Sequence, residues 1–200
     1  MNNRLACTAA LSIGLVTTAC GSGMNTPDIK QNPNLTKRYE ITLTIHGATR
    51  GFDSVDGFAH FEIGNSEACS SKDPISGLYR TLDQHPPLSF GRVDENTYRT
   101  TVDMDYYVDA DYFGMGVCHW TMTDVVAVLK INGNAMDLGA DMSVDDIAAQ
   151  GLSDRYFPLS TLSSNNKLKM SFPGSPLSDV PPERRKDYFY IAMSARKVAL

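Results

Sequence analysis

The clearest pattern along the chain is an alternation of apolar and polar residues, which is typical of β-strands with one face on a core. Residues 39–46 alternate in this way, and residues 59–63 do so again before Gly64-Asn65. Residues 94–96, Asp-Glu-Asn, read as a hairpin connection between two such runs. The pattern predicts strands at 39–46, 59–63, 88–93, 97–106, 117–131, 167–172 and 188–193.

The longest apolar run, residues 117–131, changes its inward face part of the way along. Its apolar positions are even as far as Met122 and odd from Val125 onwards. A strand can shift its faces in this way only at a bulge or break, which we predict near Thr123-Asp124. Asn132-Gly133 then predicts a tight hairpin turn.

One helix is predicted, at 143–150. Ser143 can cap its first turn, two aspartates follow near its positive end, and Gly151 comes after it. Residues 173–185 contain four prolines and predict a loop. The many strands and short turns indicate an all-β fold, a two-sheet antiparallel β-sandwich, with a β-barrel as the alternative.

The N-terminal residues have the pattern of an export signal. Arg4 precedes a run, residues 5–19, that has no charged residue and is too short for a comfortable membrane span. Ala19-Cys20 fits the end of a bacterial lipoprotein signal, although Thr17 stands where an aliphatic residue is usual. We predict a signal peptide at 1–19 and lipidation of Cys20; the alternative is an ordinary cleaved signal.

The stretch that follows, residues 20–35, is polar, rich in Gly, Pro and Asn, and without a periodic apolar face. It predicts a flexible tether between the lipidated N-terminus and a single β-rich domain at 36–200. Gly21 rather than Asp after the cysteine resembles sorting signals for the outer membrane. The expected location is therefore the periplasm, with a lipid anchor in the outer membrane.

The charge of the chain argues against one class of partner. Removal of Arg4 with the signal takes the net charge from −5 to −6. Nucleic-acid binders carry basic patches, so we predict no nucleic-acid partner.

The cysteines outside the N-terminal region are Cys69 and Cys118. An even pair in an exported chain predicts a disulfide bond. Two free buried thiols or half of a metal site are the alternatives. Neither cysteine has the closely spaced neighbour that zinc sites usually need.

The most distinctive composition lies in residues 103–113, here named the acidic aromatic segment. Tyrosines give large contact area at low entropic cost and carboxylates pair with cations, so this segment is our predicted partner-binding surface. A calcium loop is one alternative, but Phe113 stands where the third ligand would be expected. A strand end with a solvated turn is the other. The predicted contact residues are Asp103, Asp105, Tyr106, Tyr107, Asp109, Asp111, Tyr112 and Phe113.

The four histidines give no catalytic or metal-binding signature. His46 and His60 lie on the predicted polar faces of strands, His119 alternates out of a core strand, and His85 precedes two prolines. No pair has H-E-x-x-H spacing, and no serine lies in G-x-S-x-G. We therefore predict no catalytic residues, no metal and no cofactor, and a protein that is not an enzyme.

Four stretches together with the signal carry a resemblance to a known group of proteins. They are residues 40–47 (EITLTIHG), 54–57 (SVDG), 96–99 (NTYR) and 112–120 (YFGMGVCHW). They resemble small bacterial lipoproteins encoded beside antibacterial effectors of type IV or type VI secretion systems. The resemblance covers residues 39–157 and consists of strand and turn patterns.

The resemblance implies a periplasmic immunity protein that binds one cognate toxin and neutralises it. It brings no set of inhibitory residues that can be placed on this chain. Two other functions stay open from the residues alone: a structural or assembly lipoprotein of the envelope or secretion apparatus, and a small hydrolase or glycan-binding module.

Overall fold

A computed structural model describes residues 27–132, 136–163 and 170–199. The predicted signal peptide, Cys20 and the first part of the predicted tether lie outside the described residues. So do Gly133 of the predicted hairpin turn and residues 167–169 of a predicted strand.

The described residues form eleven strands, most of them in the register that the alternation predicts. All the predicted strands except the one at 88–93 are found, with shifted ends, and strands at Met136–Ser143 and Leu152–Pro158 are added together with several short ones. They are β1 (Arg38–His46), β2 (Ser54–Ile63), β3 (Asp83–Gln84), β4 (Pro87–Ser89), β5 (Gly91–Arg92), β6 (Thr97–Asp103), β7 (Trp120–Lys130), β8 (Met136–Ser143), β9 (Leu152–Pro158), β10 (Met170–Pro173) and β11 (Tyr188–Lys197).

These strands make two sheets, which confirms the predicted sandwich. The first sheet has the order β5-β6-β1-β11-β9, and the second has the order β10-β8-β7-β2-β3 with β4 also paired to β2. Neighbours are antiparallel except β8 and β10, which are parallel. The chain crosses between the sheets several times, and the last three connections, from β8 through β9 and β10 to β11, all cross.

The core lies between the inward faces of the two sheets. Ile41 and Leu43 of β1 and Val125 and Ala127 of β7 are completely buried. Their neighbours lie on the outer faces, as the period of two requires; on β1 these neighbours are polar, whereas on β7 they include Val126 and Val128. The outer faces are thus where polar side chains of adjacent strands can meet.

The predicted bulge is confirmed. His60 pairs with Asp124 and the next residue, Phe61, pairs with Met122, so Thr123 is the extra residue on β7. This places Met122 and Val125 on the same inward face, although one position is even and the other odd.

The single strand predicted at 88–93 is wrong. Residues 87–89 pair with β2 in the second sheet, whereas Gly91 and Arg92 pair with β6 in the first. Phe90, buried between them, marks the point where the chain crosses between sheets. Alternation alone does not report such a crossing, because the inward side chain stays inward on both sides of it.

The helices are short. The predicted helix is found as α2 (Val144–Ala148), capped by Ser143, whose hydroxyl accepts a hydrogen bond from the Asp146 N–H. A second helix, α1 (Ser66–Cys69), has no counterpart in the predictions. The loop predicted at 173–185 is partly wrong, since it holds a 3-10 turn at Leu177–Asp179 and most of another at Pro182–Asp187. Prolines are compatible with these turns because their first residues donate no intrahelical hydrogen bond.

Candidate functional site

The candidate site lies at the end of the sandwich that contains the disulfide bond. Cys69 and Cys118 are bonded and completely buried, with an S–S distance of 2.09 Å. The bond joins α1 to the residues just before β7, so it fixes two segments that are distant in sequence. We call residues 66–82 and 103–120 together the disulfide-linked end. The predicted disulfide is confirmed, and it suits an oxidising compartment outside the cytoplasm.

The acidic aromatic segment does not continue β6 as predicted. The strand ends at Asp103, and the chain turns at residues 104–105. Tyr107 then packs with its ring centroid 5.2 Å from that of Phe61 and 4.9 Å from that of Trp120. Burial raises the pKa of the Tyr107 hydroxyl. The tyrosine thus closes the end of the core and is only partly available for contact.

Tyr112 and Phe113 pack beside the disulfide rather than pointing into solvent. Both contact the small buried cluster that contains Cys69 and Cys118. The Tyr112 hydroxyl donates to the Val108 carbonyl and accepts a hydrogen bond from Trp120 Nε1 at 3.1 Å. The Arg80 guanidinium lies 4.9 Å from the centre of the Phe113 ring. This contact brings the 66–82 segment against the 103–120 segment.

Two of the four carboxylates in the acidic aromatic segment hold the N-terminal part of the domain. Asp103 forms a two-bond ion pair with Arg38, at 2.7 and 3.0 Å. Asp105 accepts hydrogen bonds from the Thr36 hydroxyl at 2.7 Å and from the Thr36 and Lys37 backbone N–H groups. Burial alone would raise the pKa of Asp105, but these donors outweigh it, and the pKa is lowered.

The other two carboxylates shape the loop that leads to the disulfide. Asp109 accepts a hydrogen bond from the Trp120 N–H at 2.9 Å and lies 2.7 Å from His119 Nδ1. Asp111 accepts from the Met115 N–H at 2.9 Å. The backbone N–H of Gly116 is the largest of several hydrogen bonds that lower the pKa of Asp111. These oxygens face backbone donors, which disfavours the calcium alternative for Asp109 and Asp111.

The predicted contact residues therefore lie together in space, but most of their polar groups already have partners within the chain. Asp109 and Asp111 stay exposed, the Asp109 side chain by 46%, whereas the Asp103 side chain is only 13% exposed. The prediction that this segment binds a partner remains a prediction.

Two open grooves run along the acidic aromatic segment. One has a volume of about 310 Å³ and is lined by Lys37, Asp105, Tyr107, Asp109 and Trp120 among others. The other, of about 230 Å³, is lined by residues that include Lys30, Asp111 and Tyr112. Both are shallow and mix charged with aromatic walls, which suits a side chain of a partner better than an enclosed small molecule.

Exposed apolar side chains are concentrated at the disulfide-linked end, which the sequence pattern did not reveal. Of seven exposed large hydrophobic residues in the described ranges, four lie there. Ile75 is 96% exposed and Leu78 70%, and Met115 and Val117 are exposed by about half. These residues lie in short loops whose sequence has no period of two or 3.6, so the pattern cannot predict whether their side chains are buried or exposed.

The predicted tether ends earlier than expected. Gln31 pairs with Tyr107, and the Asn32 N–H donates to the Tyr106 carbonyl at 2.8 Å. Residues 30–32 therefore pair with the domain, ahead of the predicted boundary at 36. The chain enters the domain beside the acidic aromatic segment.

A cluster of titratable side chains outside this end was also missed. His60, Asp83 and His85 lie with their possible ligand atoms all within 4.8 Å of one another. Sequence spacing could not reveal the cluster, because His60 and His85 come together only through strand pairing. The sequence signal for such a cluster was weak: the spacing Asp83-x-His85, and a third possible ligand, His60, on the predicted polar face of a strand.

A scan against protein-family models finds no matching family, and searches of curated proteins and of solved structures find no match either. None of the helices within the described ranges is long and apolar enough to cross a membrane. The function of the chain must therefore be inferred from its residues and their geometry.

Proposed function

We propose that this chain is a lipid-anchored periplasmic immunity protein, held at the outer membrane through Cys20, that binds and neutralises a cognate antibacterial effector. The observation that carries the proposal is the apolar, groove-flanked surface of the disulfide-linked end on a chain that begins like a lipoprotein. Four exposed hydrophobic side chains there give a partner something to bury.

Restraint of this surface supports binding to a folded partner. The disulfide, the Tyr112–Trp120 hydrogen bond and the four paired carboxylates hold the loops in place before any partner arrives. A preorganised surface loses little conformational entropy on binding, which favours high affinity. High affinity is what neutralisation of a toxin requires.

The shape of the molecule favours binding over catalysis. Phe61, Phe157 and Phe189 fill the space between the sheets. The His60, Asp83 and His85 cluster lies on the outer face of a sheet, since the neighbouring Ala59 and Phe61 point into the core. A hydrolase needs such groups in a cleft that excludes water.

The decisive experiment is protection of cells. The product of the gene next to this one is directed to the periplasm of a host, with and without the full chain. The expected result is survival only with the full chain, and recovery of the two proteins from membranes as a one-to-one complex. Death in both cultures, or recovery of secretion or cell-wall machinery instead, would overturn the proposal in favour of an assembly role.

Surface variants locate the contact. Ile75→Asp and Met115→Asp place a carboxylate where we expect apolar burial, and each should weaken the complex at least about tenfold. Val93→Asp and Leu152→Asp are matched controls, since these residues are 52% and 73% exposed but lie outside the disulfide-linked end. Equal loss in all four variants, or in none, would contradict this location of the interface.

A further inference from the structure

Strand pairing places two histidines opposite each other on the outer face of the second sheet. Phe58 pairs with Pro87, and Phe61 pairs with Gln84. Between these two pairs, His60 faces His85 across the strands. Their rings stack with centroids 4.5 Å apart and an interplanar angle of 18°.

Two carboxylates join the histidines from either side. Asp83 lies two residues before His85, on the same face, with its Oδ2 4.0 Å from His85 Nδ1. Asp124 pairs with His60 from the neighbouring strand, with its Oδ2 3.6 Å from His60 Nδ1. The row Asp124, His60, His85 thus crosses three adjacent chain segments.

The bulge in β7 is what brings Asp124 to this position. Thr123 is the extra residue, and its hydroxyl lies 3.2 Å from Asp124 Oδ2 and 3.4 Å from the His60 carbonyl. Bulges redirect side chains and are common beside functional sites. A carboxylate next to one ring nitrogen orients the imidazole and leaves the other nitrogen for a ligand.

Every member of the cluster is open to solvent to some degree. The side chain of His60 is 30% exposed, that of His85 47% and that of Asp83 65%. An ion can therefore reach the ligand atoms without opening the sheet. Because these groups are partly exposed, binding of an ion does not carry the desolvation cost that a charge in the core would carry.

From this geometry we propose that His60, Asp83 and His85 bind one divalent transition-metal ion, with Asp124 as a positioning residue for His60. Two imidazoles and a carboxylate are a ligand set suited to Zn²⁺, Cu²⁺ or Ni²⁺ rather than to Ca²⁺ or Mg²⁺. The proposal is independent of the proposed immunity function.

The ligand atoms need only a small movement to meet an ion. With metal–ligand distances of about 2.0–2.2 Å, ligands on one tetrahedral zinc lie about 3.3–3.6 Å apart. The present spread of up to 4.8 Å closes through side-chain rotation, since all three groups are at least partly exposed. Bound metal would tie the residues that connect β3 and β4 to β2, where the pairs themselves involve only two and three residues.

The test is a calorimetric Zn²⁺ titration of the full chain, purified in detergent with a tag that contains no histidine. Free thiols are alkylated first, so that cysteines do not compete for the ion. The expected result at about pH 7.5, where free imidazole is mostly neutral, is one Zn²⁺ per chain. His60→Ala and His85→Ala should each weaken binding more than about 100-fold, and Asp124→Asn about 10–100-fold.

His119→Ala is the matched control, because His119 is also exposed and lies beside a carboxylate, Asp109, at 2.7 Å. It should bind Zn²⁺ like the unaltered chain. Absence of binding below about 1 mM Zn²⁺, binding that survives both His60→Ala and His85→Ala, or binding that depends on His119 would overturn the proposal.

Thermal unfolding gives a second readout that does not depend on heat of binding. At about 100 times the dissociation constant, Zn²⁺ should raise the Tm of the unaltered chain by about 5–10 °C. Without metal, His85→Ala should melt like the unaltered chain, which shows that it folds, and Zn²⁺ should not shift it. A Zn²⁺-dependent shift retained in His85→Ala would count against the site.

Discussion

Asp105 shows what a single carboxylate of the acidic aromatic segment does. Its two oxygens accept three hydrogen bonds from Thr36 and Lys37, which hold the start of β1 against the end of β6. These donors favour the ionised form, so the pKa of Asp105 is lowered despite the opposing effect of burial. A native pKa below the unfolded value means that this stabilisation is present above about pH 4 and lost as the pH falls further.

Asp105→Asn should therefore lower stability in a pH-dependent way. At neutral pH we expect a loss of about 1 kcal/mol in the free energy of unfolding, or about 2–4 °C in Tm. The difference from the unaltered chain should shrink progressively as the pH falls below 4, because Asp105 takes up its proton as the pH passes through its lowered pKa and is then neutral like Asn. Thermal melts from pH 2.5 to 7 measure it.

Asp28→Asn is the control for Asp105→Asn, since the Asp28 side chain is 87% exposed and contacts only Lys30, at 3.8 Å, among the ion pairs. It should leave the Tm within about 1 °C at every pH. If Asp105→Asn also left the Tm unchanged near pH 7, the hydrogen bonds of Asp105 would not stabilise the fold.

For single residues, the sequence was a good guide to which side chains lie close together and a poor guide to the groups that each side chain contacts. Composition was enough to single out residues 103–113. The hydrogen bonds of Asp109 to Trp120 and of Asp105 to Thr36 span residues far apart in the chain or across a strand pair, so no local rule could foresee them. For the same reason the meeting of His60 with His85 depended on a register that only the fold supplies.

Among the elements, the disulfide bond stabilises two segments that are too short to be stable by themselves. Helix α1 has four residues, and the segment from 106 to 118 contributes only isolated bridges. Such elements are marginal by themselves, because too few hydrogen bonds offset their conformational entropy. The bond between residues 49 positions apart restricts the unfolded chain and lowers this cost.

Replacing both Cys69 and Cys118 by Ala should destabilise the domain by about 4 kcal/mol, which lowers the Tm by about 8–16 °C. Calorimetry of the variant and of the unaltered chain, each with and without reductant, measures this. Reductant should lower the Tm of the unaltered chain toward that of the variant and leave the variant unchanged. A reductant effect on the variant would mean that another thiol is responsible.

Strands were predicted correctly where apolar and polar residues alternate clearly. They were missed where an exposed residue is apolar and a buried one polar, or where small residues weaken the alternation. The phase shift in residues 117–131 was enough to place the bulge, because a core tolerates no change of face without one. β9 escaped prediction because its Leu152 is 73% exposed while Ser153 is buried, with its hydroxyl donating to the Asp141 carbonyl at 2.8 Å. In β8, Gly139 and Ala140 leave the alternation too weak to read.

At the scale of the whole molecule, the point where the chain enters the domain determines what an N-terminal anchor would hold near the membrane. Gln31 pairs with Tyr107, inside the acidic aromatic segment. Lys30 lies ten positions after Cys20, so the two residues are at most about 33–36 Å apart when the chain between them is fully extended. An anchor at Cys20 would therefore keep the disulfide-linked end, rather than the far end of the sandwich, within this distance of the membrane.

Cys20→Ala tests both the anchor and its role. We expect this variant to move from the membrane fraction to the soluble periplasmic fraction, because the thiol that would carry the lipid is gone. The Tm of the domain should not change, since Lys30, ten positions after Cys20, makes the first backbone hydrogen bond to the domain among the residues that the structure describes. Fractionation and thermal melts measure the two effects, and a variant that stays in the membrane fraction would contradict lipidation at Cys20. If the released variant protects cells less well at equal abundance, the anchor contributes by concentrating the binding surface where the toxin arrives.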